Sequence, residues 1–268
     1  MIEWYQAIVL AIVQGLTEFL PISSSAHLAI SPILLGLPDQ GLAFDIAVHV
    51  GTLAAVLFYY RDDLKAMARS WFSSLAGGKS DGDSRLVWYL AVATVPVGIV
   101  GVMAGDFIGS HLRNLAVIAT TTLVFGLLLG WADKRARSQM PTVAISLSMA
   151  LLIGLAQALA PIPGVSRSGV TITAALLLGM DRQSAARFSF LLSIPVIGSA
   201  GCLLIVDLIQ NNQQSIDWMQ LIVASALSGL TAYLCIGVFI RLLDRVGLMP
   251  FVYYRIGLAA VLYYLLLA

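Results

Sequence analysis

Charge is what this sequence has least of. A chain of 268 residues carries 15 basic and 14 acidic side chains, 11% of the total, where ordinary soluble domains average about 25%. A formal net charge of +1 gives no electrostatic footprint for a phosphate backbone, so a nucleic-acid binder is excluded. The 59% apolar content likewise excludes a disordered chain. Cysteine is almost absent, and Cys202 and Cys235 both lie in long apolar runs. They read as small buried hydrophobes rather than as a disulfide or a metal pair. Also missing are a Walker-type loop and a zinc-ligand cluster, which argues against an ATPase or a zinc hydrolase. Met1-Ile-Glu-Trp has no basic stretch, and no small-residue cleavage pattern follows the first apolar run, so no cleaved leader is expected.

What is present is long apolar runs, with a mean hydropathy of +0.92. The expected solvent is a bilayer. The charges cluster at Arg61 to Arg85, which reads as a polar loop, and further breaks fall at Asp106 to Asn114, Asp133 to Pro141, Asp181 to Arg187, Gln210 to Asp217 and Arg241 to Gly247. Between them lie runs at about 42–60, 86–105, 115–132, 188–209, 218–240 and 249–267, each near the ~20 residues a helix needs to cross hydrocarbon. The expectation is an all-α, polytopic membrane protein with six full spans, forming one membrane domain.

Two stretches break this pattern. Residues 4–36 are interrupted by Pro21-Ile-Ser-Ser-Ser25, and residues 143–180 by Pro161-Ile-Pro-Gly-Val-Ser-Arg-Ser-Gly169. The pieces after each break, about 26–36 and 170–180, reach only ~16 Å at 1.5 Å per residue, about half the hydrocarbon core. Such pieces predict re-entrant hairpins with tips near the midplane. The breaks echo each other at an offset of 140: Pro21-Ile22 falls on Pro161-Ile162, Ser24 on Gly164 and His27 on Arg167. The reading is an inverted internal repeat with halves at about 1–135 and 136–268. If the hairpins are re-entrant, their tips meet; if the short pieces cross, the tips lie on opposite faces.

Loop charge then sets orientation. The loops at 61–85, 133–142 and 241–248 hold most of the loop Lys and Arg, while 37–41 and 210–217 hold none. The positive-inside rule places the basic set in the cytoplasm and both termini outside.

The chemistry-bearing residues sit at the two breaks. Glu18 lies in an apolar run one turn after Gln14, and an ionisable group at membrane depth costs about 2.5 kcal/mol or more, which makes it a functional candidate. Ser23, Ser24, Ser25 and His27 open the next half-helix, whose free N–H groups suit an anion. At the second break, Gly164 and Gly169 allow close backbone approach, Ser166, Ser168 and Thr171 add hydroxyls, and Arg167 presents a planar fork suited to phosphate oxygens. An Arg167–Glu18 ion pair of purely structural purpose is the competing reading. His49 reads as a packing residue and His111 as solvated. Trp4, Tyr5, Tyr59, Tyr60, Trp88, Trp131, Trp218, Tyr253 and Tyr254 read as interface belts.

Two segments, Gln14-Gly-Leu-Thr-Glu18-Phe-Leu-Pro-Ile-Ser-Ser-Ser-Ala-His27 and Pro163-Gly-Val-Ser-Arg-Ser-Gly169, resemble the motifs of the undecaprenyl-diphosphatase (BacA) family, and the resemblance covers essentially the whole chain. It implies a phosphatase of the bacterial plasma membrane that converts undecaprenyl diphosphate to undecaprenyl phosphate and inorganic phosphate for cell-wall synthesis, lowering bacitracin sensitivity. It also implies a magnesium or calcium ion, held here by Glu18, with the active site open to the external side. Glu18 corresponds to the essential motif glutamate, Ser24 and His27 to residues proposed as nucleophile or base, and Arg167 with Ser166 to the diphosphate-binding segment. Gln14 is a departure, since many members have Glu there. The residues leave open whether Ser24, His27 or a water attacks. They also leave open a carrier-lipid transporter or flippase built on the same anion site, and whether the chain forms a homodimer.

Overall fold

The computed structural model describes residues 2–36, 40–137, 145–210 and 217–267. The described residues are helical, without strands, in the order α1 (Trp4–Thr17), α2 (Ser24–Leu35), α3 (Leu42–Tyr59), α4 (Arg61–Leu75), α5 (Gly82–Phe107), α6 (Leu115–Arg137), α7 (Leu147–Gln157), α8 (Arg167–Leu177), α9 (Arg182–Gln210), α10 (Trp218–Val246) and α11 (Met249–Leu267). Among them, α3, α5, α6, α9, α10 and α11 are long and apolar enough to cross a bilayer. The six expected spans are thus present, several beginning or ending outside the apolar window, because helix caps lie in the polar layer beyond the hydrocarbon. The protein is a multi-pass membrane protein.

The polar loop expected at 61–85 is mostly a helix. α4 is amphipathic: Asp62 and Asp63 occupy its first turn, where the helix dipole favours acids, and Lys65 bonds Asp62 at 3.3 Å. Leu64 and Met67, three residues apart, pack on the core. Counting charges obscured that period. Asp81 then caps α5, accepting from Ser84 N, in a capping box. Hydrogen bonds from Ser70 Oγ and from Ser84 hold its carboxyl below the usual carboxylate range. The break at 106–114 contains a π-helical turn, Ile108–Leu112, rather than a loop.

The short helices form two helix–break–helix units. α1 ends at Thr17, four residues before Pro21, which lacks the N–H that a continued helix would bond to the Thr17 carbonyl; Pro161, Pro163 and Gly164 interrupt the chain likewise after α7. The α1–α2 unit lies against α10, and the α7–α8 unit lies between α5 and α6. Glycine permits both seatings: a Cβ on Gly15 would sit 2.5 Å from the Ser228 carbonyl of α10, and one on Gly154 would sit 2.5 Å from the Ala93 carbonyl of α5. Close approach through small residues is the usual way helices associate in lipid.

The ends of α1 and α7 are related by the expected 140, Thr17 to Gln157, but the starts of α2 and α8 are related by 143, Ser24 to Arg167. The second break is three residues longer. Position for position, Ser24 therefore corresponds to Arg167 rather than to Gly164. Each second helix is preceded by a serine in the left-handed region, Ser23 at φ 73° and Ser166 at φ 71°. Non-glycine residues held there cost about 1–3 kcal/mol and concentrate at functional sites.

The cysteine expectation needs correction. Both are free, but Cys202 is exposed on α9 and Cys235 is only partly buried. In lipid an exposed thiol on an apolar helix costs nothing, so burial was not required.

Candidate active site

The two breaks meet. Arg167 Nη2 donates to Glu18 Oε1 at 3.1 Å, so the tips do not lie on opposite faces. Glu18 follows the last residue of α1 and is 7% exposed. Its other oxygen, Oε2, accepts from Gln14 Nε2 at 2.9 Å and from Ser24 Oγ at 2.7 Å, and His49 Nε2 lies 3.8 Å away. Four of the expected site residues, Gln14, Glu18, Ser24 and Arg167, thus form one cluster. His49 belongs beside it, not merely in packing. Its Nδ1 donates to the Asp45 carbonyl at 2.7 Å, which leaves Nε2 facing the carboxylate. The Arg167–Glu18 pair answers the charge-burial problem at this depth, yet it does not exhaust Arg167. Nη1 donates to the Ser189 carbonyl at 3.1 Å, while Nε is buried and donates to nothing.

His27 is placed otherwise. Its Nδ1 faces the Ser23 carbonyl at 2.7 Å. A carbonyl can only accept, so Nδ1 carries the hydrogen, and Nε2 receives Tyr254 Oη at 2.6 Å. The two rings stack with centroids 5.7 Å apart. The basic nitrogen of His27 is therefore engaged by a tyrosine, and Ser24 is engaged by Glu18. Tyr254, 46% exposed, thus has a partner that its belt position did not suggest, whereas Tyr60, also expected in a belt, is buried in the core.

The hydroxyls of the second tip are spent on protein. Ser168 Oγ donates to the Leu20 carbonyl at 2.9 Å, strapping one tip to the other. Ser166 Oγ caps α8 by accepting Gly169 N at 3.1 Å. Thr171 bonds the Arg167 carbonyl at 2.8 Å and Ser189 Oγ at 2.7 Å. The space at the glycines is also taken by protein: a Cβ on Gly164 would meet Thr121 Oγ1 at 2.1 Å, and one on Gly169 would meet Arg255 Nη1 at 3.1 Å. At the first tip, Ser23 is buried and Ser25 is exposed, their hydroxyls 3.2 Å apart.

Arg255 is the residue that sequence reasoning missed. It lies fully buried inside α11 and donates to five backbone carbonyls: Pro21 at 3.2 Å in the first tip, Gly164 at 2.7 Å and Val165 at 3.2 Å in the second, and Thr121 at 3.4 Å and Thr122 at 3.0 Å in α6. A guanidinium has five N–H donors; three contacts join the two tips and two fasten them to α6. The signal was present, since a lone arginine in the middle of a 19-residue apolar helix obeys the same rule that singled out Glu18. Among the described residues Glu18 pairs with Arg167, and the hydrogen-bond partners of Arg255 are carbonyls rather than carboxylates, so the tips carry one positive charge in excess, which favours an anionic ligand.

A divalent cation fits the donor set. Among the described residues there is no group of three acid, His or Cys ligands, so the protein alone does not enclose a metal. However, Gln14 Oε1 is buried without a partner beside the Glu18 carboxylate. Hard oxygens of this kind, completed by waters and substrate phosphate oxygens, are what magnesium takes.

Comparison with known proteins agrees with the motifs. A relative from Nitrosococcus oceani, named undecaprenyl-diphosphatase, is 52% identical over 98% of this chain and 99% of its own. One from Stutzerimonas stutzeri, named undecaprenyl-diphosphatase 2, is 55% identical over 96% of each, and one from Chromohalobacter salexigens, named undecaprenyl-diphosphatase, is 52% identical over 97% and 98%. The family described as bacitracin resistance protein BacA matches residues 7–261, and the chain belongs to that family.

Proposed function

We propose that this protein hydrolyses undecaprenyl diphosphate to undecaprenyl phosphate and inorganic phosphate, returning the lipid carrier to cell-wall synthesis. The observation that carries the reading is the Ser24–Glu18–Arg167 cluster, in which a hydroxyl, its base and a diphosphate-binding cation converge on one buried point. It sits in the plasma membrane of a bacterium, with α1–α2 and α7–α8 as re-entrant hairpins of an inverted repeat, both termini outside and the site reached from the external side.

The chemistry follows from the contacts. Ser24 Oγ attacks the terminal phosphorus as its proton passes to Glu18 Oε2, 2.7 Å away. The bond from that phosphorus to the bridging oxygen breaks, and undecaprenyl phosphate leaves, taking the proton from Glu18. A water then attacks the phosphoserine and gives a proton to Glu18. Glu18 returns it to Ser24 as inorganic phosphate departs. Arg167, freed on one edge from Glu18 by the incoming anion, binds phosphate oxygens through its fork, and the charge of Arg255 supports the bound anion. Glu18 and Gln14 Oε1, completed by waters and phosphate oxygens, would hold a magnesium or calcium ion, which when bound neutralises phosphate charge. His27 has its basic nitrogen on Tyr254, which favours Ser24 over His27 as nucleophile.

Phosphate release from undecaprenyl diphosphate by the purified protein in detergent, with and without EDTA, tests the reading. The expected result is metal-dependent release, and about 10³-fold less or lower still from Glu18→Gln, which keeps the shape and removes the base. A lipid flippase would release no phosphate. Undiminished release by Glu18→Gln would overturn the mechanism.

A further inference from the structure

Two of the three histidines in the chain stand near the first tip, and their second ring nitrogens are used differently. In each, Nδ1 lies 2.7 Å from the backbone carbonyl four residues earlier, Ser23 for His27 and Asp45 for His49. A carbonyl only accepts, so Nδ1 carries the hydrogen and Nε2 is left with a lone pair. The Nε2 of His27 is taken by Tyr254. The Nε2 of His49 instead faces a carboxylate oxygen, Glu18 Oε2, at 3.8 Å. Both atoms are acceptors, and two lone pairs so placed call for a positive centre between them. A proton does not match the spacing, because an imidazolium bonded to a carboxylate holds the heavy atoms at about 2.7–2.9 Å. A metal ion comes closer: two ligands each about 2.1 Å from one ion stand roughly 3.0–3.5 Å apart. A small side-chain adjustment closes the difference.

We infer that His49 Nε2 is a ligand of the divalent cation, beside Glu18 Oε2 and the Gln14 amide oxygen. The inference rests on the diphosphatase reading, in which that cation serves the bound phosphates, and it gives one of the positions assigned there to water to a nitrogen of this chain. The Nδ1–H bond to the Asp45 carbonyl is the contact by which metal-ligating histidines are held in one tautomer and orientation. Gln14 points to the same place independently. It is fully buried, its Nε2 lies 2.9 Å from the same Glu18 Oε2, and its Oε1 is without a hydrogen-bond partner. A half-turn of the amide exchanges the two atoms and sets an oxygen beside Oε2 at the spacing of neighbouring ligands. Arg167 uses the other carboxylate oxygen, Oε1, so guanidinium and cation do not compete for one atom. The His49 side chain is 34% exposed against 6% for Glu18, which leaves the imidazole side open to the ion and to phosphate oxygens.

The backbone that carries His49 is fixed in register. The Val48 carbonyl accepts Ser228 Oγ of α10 at 3.0 Å, and the His49 carbonyl accepts Thr52 Oγ1 at 2.9 Å. A Cβ on Gly51 would sit 2.1 Å from the Ser225 carbonyl, so α3 seats closely on α10. A ligand on an element held this way needs little reorganisation to bind. An imidazole in the set also changes which ions are preferred, since calcium takes oxygen ligands and nitrogen suits transition metals.

Pulsed EPR of Mn²⁺ added to the purified full-length protein in detergent, with and without inorganic phosphate, reads the ligand without turnover. The parent should show a directly coupled ¹⁴N that becomes ¹⁵N when the histidines alone are labelled. His49→Gln should abolish the coupling and weaken Mn²⁺ binding by about tenfold or more, while Ca²⁺ affinity changes less than about threefold because an amide oxygen replaces the nitrogen. A variant carrying His27→Gln and His111→Gln retains His49 as its one histidine and should keep the coupling, which assigns the nitrogen even if His49→Gln fails to fold. Bound Mn²⁺ without nitrogen coupling, coupling that survives His49→Gln, its loss in the double variant, or no Mn²⁺ binding under either condition would overturn the assignment. Metal-dependent phosphate release without the coupling would leave the diphosphatase reading standing and end this one. Coupling through His49 without any phosphate release would do the reverse.

Discussion

The two tips were built from similar residues and put to different uses. Each has serines in a left-handed turn ahead of a short helix, but the first leaves Ser24 on a carboxylate, whereas the second ties Ser166, Ser168 and Thr171 into caps and straps. One tip presents reactive atoms; the other holds them in place and adds Arg167. A hydroxyl in a motif is therefore informative only once its partner is known, because a serine bonded to a carbonyl is scaffold and a serine bonded to a carboxylate is poised for proton transfer.

The largest expected effect separates these uses directly. Ser24→Ala should lower kcat by about 10³-fold or more. Ser168→Ala should cost about 1 kcal/mol for the lost strap to Leu20 and only a few-fold in rate. Comparable rates for the two variants would mean that the tips share the chemistry, and the division drawn above would fail. Trapping of phosphoserine at position 24 by acid quench, absent in the alanine variant, sharpens the same point.

Next in size is the joint between the tips. Arg255→Lys keeps the charge but replaces a fork of five donors with an ammonium of three, leaving at least two of the five carbonyls without their partner. Each hydrogen bond to a charged group is worth about 1.5–3 kcal/mol. A large drop in melting temperature with about 10²-fold lower kcat is expected. A stable variant with normal turnover would show that the tips hold together without it.

Much of this was legible in the sequence, and the rest failed for identifiable reasons. Six long runs and two broken ones follow from hydropathy and from Pro21, Pro161 and Pro163, because the bilayer rewards length and proline interrupts a helix regardless of tertiary context. Glu18 and Arg167 stood out as ions in apolar runs. Arg255 satisfied the same criterion but sits among residues that otherwise read as an uninterrupted span, so its charge went unweighed. α4 was hidden because its apolar positions are sparse beneath many charges. The partnership of Tyr254 with His27 joins residues 227 apart in sequence, and an aromatic near a span end gives no local sign of it. The three extra residues in the second break shifted the alignment of Ser24 and His27, since an offset read from Pro21 and Pro161 assumes breaks of equal length.

Tyr254 offers a smaller effect on the first tip alone. Tyr254→Phe keeps the ring stacked on His27 and removes the hydroxyl bonded to Nε2. If the tyrosine orients His27 for the reaction, kcat should fall about tenfold with KM unchanged, as for loss of a group that acts only through geometry in the transition state. The ¹⁵N signals of the His27 ring should shift at Nε2 while Nδ1 stays protonated against Ser23. An unaltered rate and spectrum would return Tyr254 to the interface belt.

The smallest effect compares the two left-handed serines. Glycine adopts positive φ without steric cost, so Ser23→Gly and Ser166→Gly both relieve backbone strain of about 1 kcal/mol. Ser23 Oγ has only the Ser25 hydroxyl at 3.2 Å to lose, whereas Ser166 Oγ caps α8 through Gly169 N, a contact worth a few tenths of a kcal/mol when glycine replaces the cap. Melting in detergent should therefore rise by about 2–4 °C for Ser23→Gly and by less for Ser166→Gly. If the order is reversed, the serine of the first tip makes a contact that its geometry does not show. If neither changes, the left-handed turns carry no strain, and what holds the tips in this shape is Arg255 and the inter-tip bonds alone.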